Sequence, residues 1–265
     1  MNTTNRSTLS RYARALGTLL LLGSSVRSPA PPPLVTGDVP TADKGTFEWY
    51  VGLAYEDSGS IERALPHTEL VYGWAANWEI SIETDLLSTE GHHGLGDIGL
   101  ATKYCVLTET EQRPGVSFAA DVGLPTGDED KGLGAGATDF SLEARVQKTF
   151  GFFTPMLNLG YVWQQEPTIG GVHQDRRDYV TAAFGQAWQL TEHAYLLSEI
   201  YGHGKDEPGG EDEVAAQIGF KYEFSESFQV HGAVGRSLRN HAKGGPDLRV
   251  YLGCEIGFDA PWTKK

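Results

Sequence analysis

The chain has 265 residues, with 35 Asp and Glu against 21 Lys and Arg, a formal net charge of -14. So acidic a chain is a poor partner for nucleic acid. Apolar residues reach only 40% while glycine numbers 33; that is lean for one large dry core and fits better a structure that turns one face of each strand toward water.

Residues 1–30 read as an export signal. Arg6, Arg11 and Arg14 precede a short apolar run from Ala15 to Gly23, too short to cross a membrane as a helix. Ser28 and Ala30 supply small residues for a cleavage site, and Pro31 directly after them leaves the cut position open. No Cys follows the apolar run, so a lipid anchor is not indicated. Loss of Arg6, Arg11, Arg14 and Arg27 takes the net charge from -14 to -18. No later stretch approaches the ~18 consecutive apolar residues of a membrane helix. Residues 31–44, rich in Pro, Gly and Asp, read as an extended leader without regular structure.

From there to residue 258 the chain alternates with a period of 2, the signature of strands whose two faces see different surroundings. Residues 46–56 set Phe47, Trp49, Val51, Leu53 and Tyr55 against Glu48, Tyr50, Gly52 and Ala54. A short strand at 67–73 has Pro66 at its edge. Residues 78–87 set Trp78, Ile80, Ile82 and Leu86 against Glu79, Ser81, Glu83 and Asp85. In the next strand, 94–107, Ile98, Leu100, Tyr104 and Val106 oppose Asp97, Gly99, Ala101, Lys103 and Cys105. Further strands are expected at 115–124 (Asp121 on the polar face), 138–150 (Asp139, Glu143, Arg145), 154–164 and 178–189. The last four fall at 194–202, 213–223 (Lys221), 228–236 (His231) and 247–258 (Arg249, Glu255). In the strand at 194–202 Leu196 and Leu197 compete, and Glu199 decides its face as inward if lipid lies outside.

About twelve strands of ~10 residues match the length a tilted strand needs to cross a bilayer. The connections at 74–77, 108–114, 151–153, 190–193 and 224–227 are short. Those at 57–66, 88–95, 125–137, 165–177, 203–212 and 237–246 are mostly longer and rich in Gly and acids. Short turns alternating with longer loops is the topology of a transmembrane antiparallel up-and-down β-barrel of the outer membrane. An even strand count brings the chain back to the periplasmic side, and closure leaves no edge strand. A soluble exported barrel or sandwich that binds a ligand, and a structural barrel acting through acidic outer loops, are the alternatives.

The segments Gly94-Leu95-Gly96-Asp97-Ile98, Lys103-Tyr104 and Leu124-Pro125-Thr126-Gly127-Asp128 resemble motifs of a Gram-negative outer-membrane family. Leu70-Val71-Tyr72-Gly73 and Asn158-Leu159-Gly160-Tyr161 fit the same pattern, so that the resemblance spans most of 45–258. The family is labelled MetA-pathway of phenol degradation, and its members are described as outer-membrane transporters. The resemblance implies a barrel that passes small, often aromatic or apolar, molecules. The chain departs from common outer-membrane barrels at its end, where Phe258 is followed by residues 259–265 instead of closing the chain. Either Phe258 serves from an internal position or targeting is less efficient; deletion of 259–265 is expected to leave assembly intact.

The residues expected to line the lumen are Glu48, Glu79, Glu83, Asp97, Lys103, Asp121, Asp139, Glu143, Arg145, Glu199, Lys221, His231, Arg249 and Glu255. They make either an acid-lined pore that favours cations or neutral solutes, or a network of inward ion pairs that fills a narrow barrel. Catalysis is not expected. Ser227 and His231 qualify as nucleophile and base by residue type alone, and no G-x-S-x-G occurs. No cofactor or metal site is expected either. His92-His93 and Asp128-Glu129-Asp130 read as solvated outer loops, and Gly132-Leu133-Gly134-Ala135-Gly136 as a flexible loop instead of a dinucleotide fingerprint. Cys105 is expected inward and Cys254 outward, which argues against a disulfide. Aromatics near the strand ends (Trp49, Tyr55, Trp78, Tyr161, Trp163, Trp188, Tyr222, Phe258) suit interfacial girdles. The expected partners are outer-membrane lipid and a small solute, and the expected state is a monomer.

Overall fold

A computed structural model describes residues 33–57, 62–89, 92–239 and 245–262; the expected export signal at 1–30 lies outside them. The strands are β1 (Thr46–Asp57), β2 (Glu62–Ala75), β3 (Trp78–Thr89), β4 (His92–Leu107), β5 (Gly115–Leu124), β6 (Asp139–Gln147) and β7 (Phe153–Gln164). After a two-residue hairpin, β8 (Thr168–Ile169) with β9 (Val172–His173), come β10 (Tyr179–Gln189), β11 (Ala194–His203), β12 (Glu213–Ser225), β13 (Phe228–Arg239) and β14 (Leu248–Asp259). All but β8 and β9 pair with their neighbours into one closed twelve-stranded barrel. Closure is made by β1 against β14, antiparallel, from Thr46↔Asp259 to Asp57↔Leu248.

The period of 2 sets the two faces of the wall. Along β4 Lys103 is 5% exposed while Tyr104, the next residue, is 48% exposed. Ile80 and Ile82 on β3, Phe140 and Leu142 on β6, and Leu252 on β14 all stand on the outside. Such an apolar outer surface suits lipid, because closure leaves the barrel no free strand edge. At the end where both barrel termini emerge, the periplasmic end in this topology, aromatic rings gather. Phe47 packs on Tyr72 (centroids 4.7 Å apart) and on Phe258 (5.4 Å), and Trp262 meets Phe47 and Tyr72 edge-on. Trp78 with Tyr104, Phe153 with Trp188, and Tyr222 with Phe224 continue the belt.

Three features differ from the sequence expectation. The strand expected at 67–73 is the longer β2, and Pro66 lies inside it, paired with Leu53 of β1. Its missing N–H is tolerated because the β2–β3 ladder begins one residue later, at His67↔Asp85. The expected outer loop at 88–95 is mostly strand: Ser88↔His93 and Thr89↔His92 are paired, so His92-His93 sits at the start of β4 and not in a loop. The connections therefore alternate less regularly than expected, since 90–91 joins β3 to β4 while the turn at 108–114 is longer. The β2–β3 turn is tight, and Asn77 takes the left-handed conformation (φ 60) that this residue type tolerates. Cys105 is buried, Cys254 is partly exposed on β14, and both are free thiols.

Candidate functional site: the barrel lumen

Residues 33–44 do not hang outside the barrel. They cross its interior as a strap that touches most of the wall. Pro33 O accepts a hydrogen bond from Gln217 Nε2 on β12, and Leu34 packs on Met156 of β7 and Leu197 of β11. The carboxylate of Glu199 accepts from Val35 N (2.8 Å), Thr36 N (2.7 Å) and the Thr36 hydroxyl (2.6 Å). Gly37 lies against Arg145 so closely that a Cβ there would overlap the guanidinium and force it to shift. Asp38 takes a salt bridge from Lys103 at 3.0 Å, and its carbonyl accepts from Arg145 Nη1. Val39 N donates to Gln147 on β6, and Ala42 N donates to Glu79 on β3. Ala42 then joins Tyr50 and Val71 in a small apolar cluster before the chain enters β1. Bonds to walls on opposite sides place the strap across the lumen, in its periplasmic half. Beneath it a cavity of about 360 Å3 opens among Pro40, Thr41, Asn77, Cys105 and Glu109.

The outer mouth is narrowed by a second segment. The loop between β5 and β6 carries one 3-10 turn, η1 (Glu129–Lys131), capped by Asp128. The Lys131 ammonium beside Asp128 holds its carboxyl below the usual carboxylate range. The rest of the loop folds inward. Leu133 packs on Leu87 of β3, and Ala135 is 4% exposed. What fixes it is Asp97 on β4, whose carboxylate accepts from Gly127 N (2.8 Å) and Ala135 N (2.7 Å). Thr126 Oγ1 accepts from Ile98 N beside it. Gly134 sits against the Asp97 carboxylate, where a Cβ would collide with Oδ1. The two motifs Gly94-Leu95-Gly96-Asp97 and Leu124-Pro125-Thr126-Gly127-Asp128 are thus two halves of one clasp, and the 132–136 run expected as a flexible loop is held in it.

The inner wall is charged along its length. Lys103 bridges Asp38 and Glu79 (3.1 Å). Arg145, fully buried, pairs with Glu143 at 2.7 Å, and Asn158 donates to the same carboxylate. Arg249 pairs with Glu56 and with the Tyr201 hydroxyl. Asp139 is held by both terminal nitrogens of Arg176 at 3.0 and 2.8 Å. Glu255 accepts from Gln229, Lys221 pairs with Glu223, and Glu48 accepts from Tyr50. Glu83 on β3 and Asp121 on β5 stand on either side of β4 on the same wall, near Glu69 on β2. All fourteen residues singled out from the sequence are buried or partly buried.

His231 is fully buried between Tyr50 and Tyr251, whose ring is stacked on it at 5.6 Å. Ser227 lies in the β12–β13 turn and is bonded to Ser225. Four residues of extended chain keep it ~13 Å from His231, so the two are not brought together. Sequence reasoning did not single out Asp38, Glu56, Arg176 or Tyr201. The acidic composition of 31–44 was visible, but nothing local said that its Asp38 would meet Lys103, 65 residues away.

The profile of the family described as MetA-pathway of phenol degradation matches residues 32–247, from the strap through β13. The chain belongs to that family. Three solved structures share the fold of this member of the MetA-pathway of phenol degradation family. The COG4313 outer membrane channel from Pseudomonas putida F1 is 14% identical with a TM-score of 0.69, over 85% of this chain and 100% of that one. The NanC porin is 10% identical (TM-score 0.60, 78% and 98% covered), and the KdgM porin 8% (0.54, 79% and 99%). At these identities the likeness is one of fold. No curated protein matches the chain by sequence. This family member is an outer-membrane β-barrel.

Proposed function

We propose that the protein is a passive channel for small solutes, non-enzymatic and monomeric, with a path set by the strap and the clasp. The observation that carries this reading is a closed barrel with a polar, charged interior, crossed by a chain segment that leaves only part of the section open. Its likeness in fold to an outer membrane channel and to two porins supports it. Of the fourteen lumen residues nine are acids and four are Lys or Arg. Each of those four cations has a carboxylate partner, so they do not neutralise the remaining acids. The lumen therefore favours cations and neutral molecules over anions. Small aromatic or apolar solutes are the class that the family label supports. The ion pairs also brace the wall, so pore and network are two aspects of one interior. Neither Ser227 nor His231 has the partners that nucleophilic catalysis needs. In planar bilayers with a salt gradient, the reversal potential is expected to have the sign of cation preference; anion preference would contradict the acidic-pore reading.

A further inference from the structure

One cluster on the lumen wall has a ligand set that conduction does not call for. His67 and Glu69 are two residues apart on β2, both on the inner face and each 5% exposed. On β3, Asp85 lies opposite His67, and Glu83 lies opposite Glu69. A ring nitrogen of His67 and one carboxylate oxygen each from Glu69 and Glu83 stand within 4.8 Å of one another. We propose that His67, Glu69 and Glu83 hold a divalent transition-metal cation, with Asp121 completing the site from β5.

Three observations carry the proposal. First, His67 Nδ1 is engaged by Asp85 Oδ1 at 2.9 Å. A carboxylate on one imidazole nitrogen fixes the tautomer and leaves Nε2 with its lone pair, the arrangement that a metal-binding histidine uses. Second, Asp121 is 6% exposed, and its Oδ2 is buried with no hydrogen-bond partner. Glu83 and Glu69 are the charges that act on it most strongly. Glu83 reaches toward it across β4, lying over Gly99 where any side chain would meet Glu83 Cγ. Third, Glu69, Glu83 and Asp121 bring three carboxylates to one patch of the wall, and a bound cation would offset their mutual repulsion. One imidazole with carboxylates suits Zn2+ better than Ca2+ or Mg2+, which prefer all-oxygen cages.

The site does not depend on the channel reading, and metal binding can be measured with no transport assay. The whole barrel in detergent, stripped with EDTA and titrated with Zn2+, is expected to take one Zn2+ at this site. Exchange of the exposed Glu166–His173–Asp175 group by His173→Gln is expected to leave that ion in place. His67→Gln and Glu69→Gln should weaken binding about ten- to a hundredfold, and Asp85→Asn about tenfold. Heat-modifiable migration shows that each variant has folded. X-ray absorption of the zinc-loaded native barrel needs no variant and should read one imidazole with oxygen neighbours. No Zn2+ binding by the folded native barrel would overturn the site. So would native affinity in folded His67→Gln and Glu69→Gln, or a ligand shell with several imidazoles or sulfur.

Discussion

At the residue scale two side chains hold the interior. Arg145 is fully buried, paired with Glu143 and covered by Gly37 of the strap. Its charge is tolerated because the Glu143 carboxylate and the Asp38 carbonyl accept from it, and Asn158 donates to that same carboxylate. Arg145→Met removes one charge of a buried pair and leaves the other, so it should lower stability by about 3 kcal/mol. The midpoint of the heat- or urea-induced shift between folded and unfolded gel bands reads this directly. Asp97 acts on the outer loop in the same way. Asp97→Ala deprives Gly127 N and Ala135 N of a charged acceptor, a loss of about 1.5–3 kcal/mol for each bond. Protease added to vesicles should then cut within 125–138 at least tenfold faster than in the native barrel, with the strands still protected. Equal cleavage would mean that packing of Leu133, not Asp97, holds the clasp.

At the scale of elements, alternation made the wall legible and then failed where its physical cause ended. The faces of β4 could be read from Ile98, Leu100, Lys103 and Tyr104 because lipid and lumen impose opposite demands on successive residues. Yet β4 has 16 residues and β2 has 14, while ~9–11 suffice to cross the hydrocarbon. Beyond the bilayer both faces meet water, the alternation fades, and His92-His93 looks like a loop although it is paired strand. The strap was legible as extended chain from its prolines, but its place was not, since its partners Glu199 and Lys103 lie far along the chain. The His67–Glu69–Glu83 cluster was hidden for a similar reason: it exists only once the β2–β3 register sets Glu69 opposite Glu83. Past β14, Ala260 N donates to Gly45 O and Trp262 joins the ring of Phe47, Tyr72 and Phe258. The β1–β14 ladder is complete at Asp259 without them. Deletion of 260–265 should therefore leave the barrel inserted and heat-modifiable at native levels. Loss of the membrane-inserted form would show that assembly reads the tail.

At the scale of the molecule, composition, strand number and lumen chemistry agree. An acidic chain with modest apolar content becomes a closed twelve-stranded wall whose apolar side meets lipid and whose acids face inward. The strap narrows the periplasmic half and the clasp narrows the outer mouth, and in the proposed channel the charged wall is what selects among solutes. The most direct test is single-channel conductance in planar bilayers. It would compare the native barrel with a variant that keeps residues 1–32 and lacks residues 33–42, both verified as folded by heat-modifiable migration. The account predicts a small, cation-preferring conductance for the native barrel and a clearly larger one without the strap. Equal conductance in the two, or no ion passage through either, would contradict it.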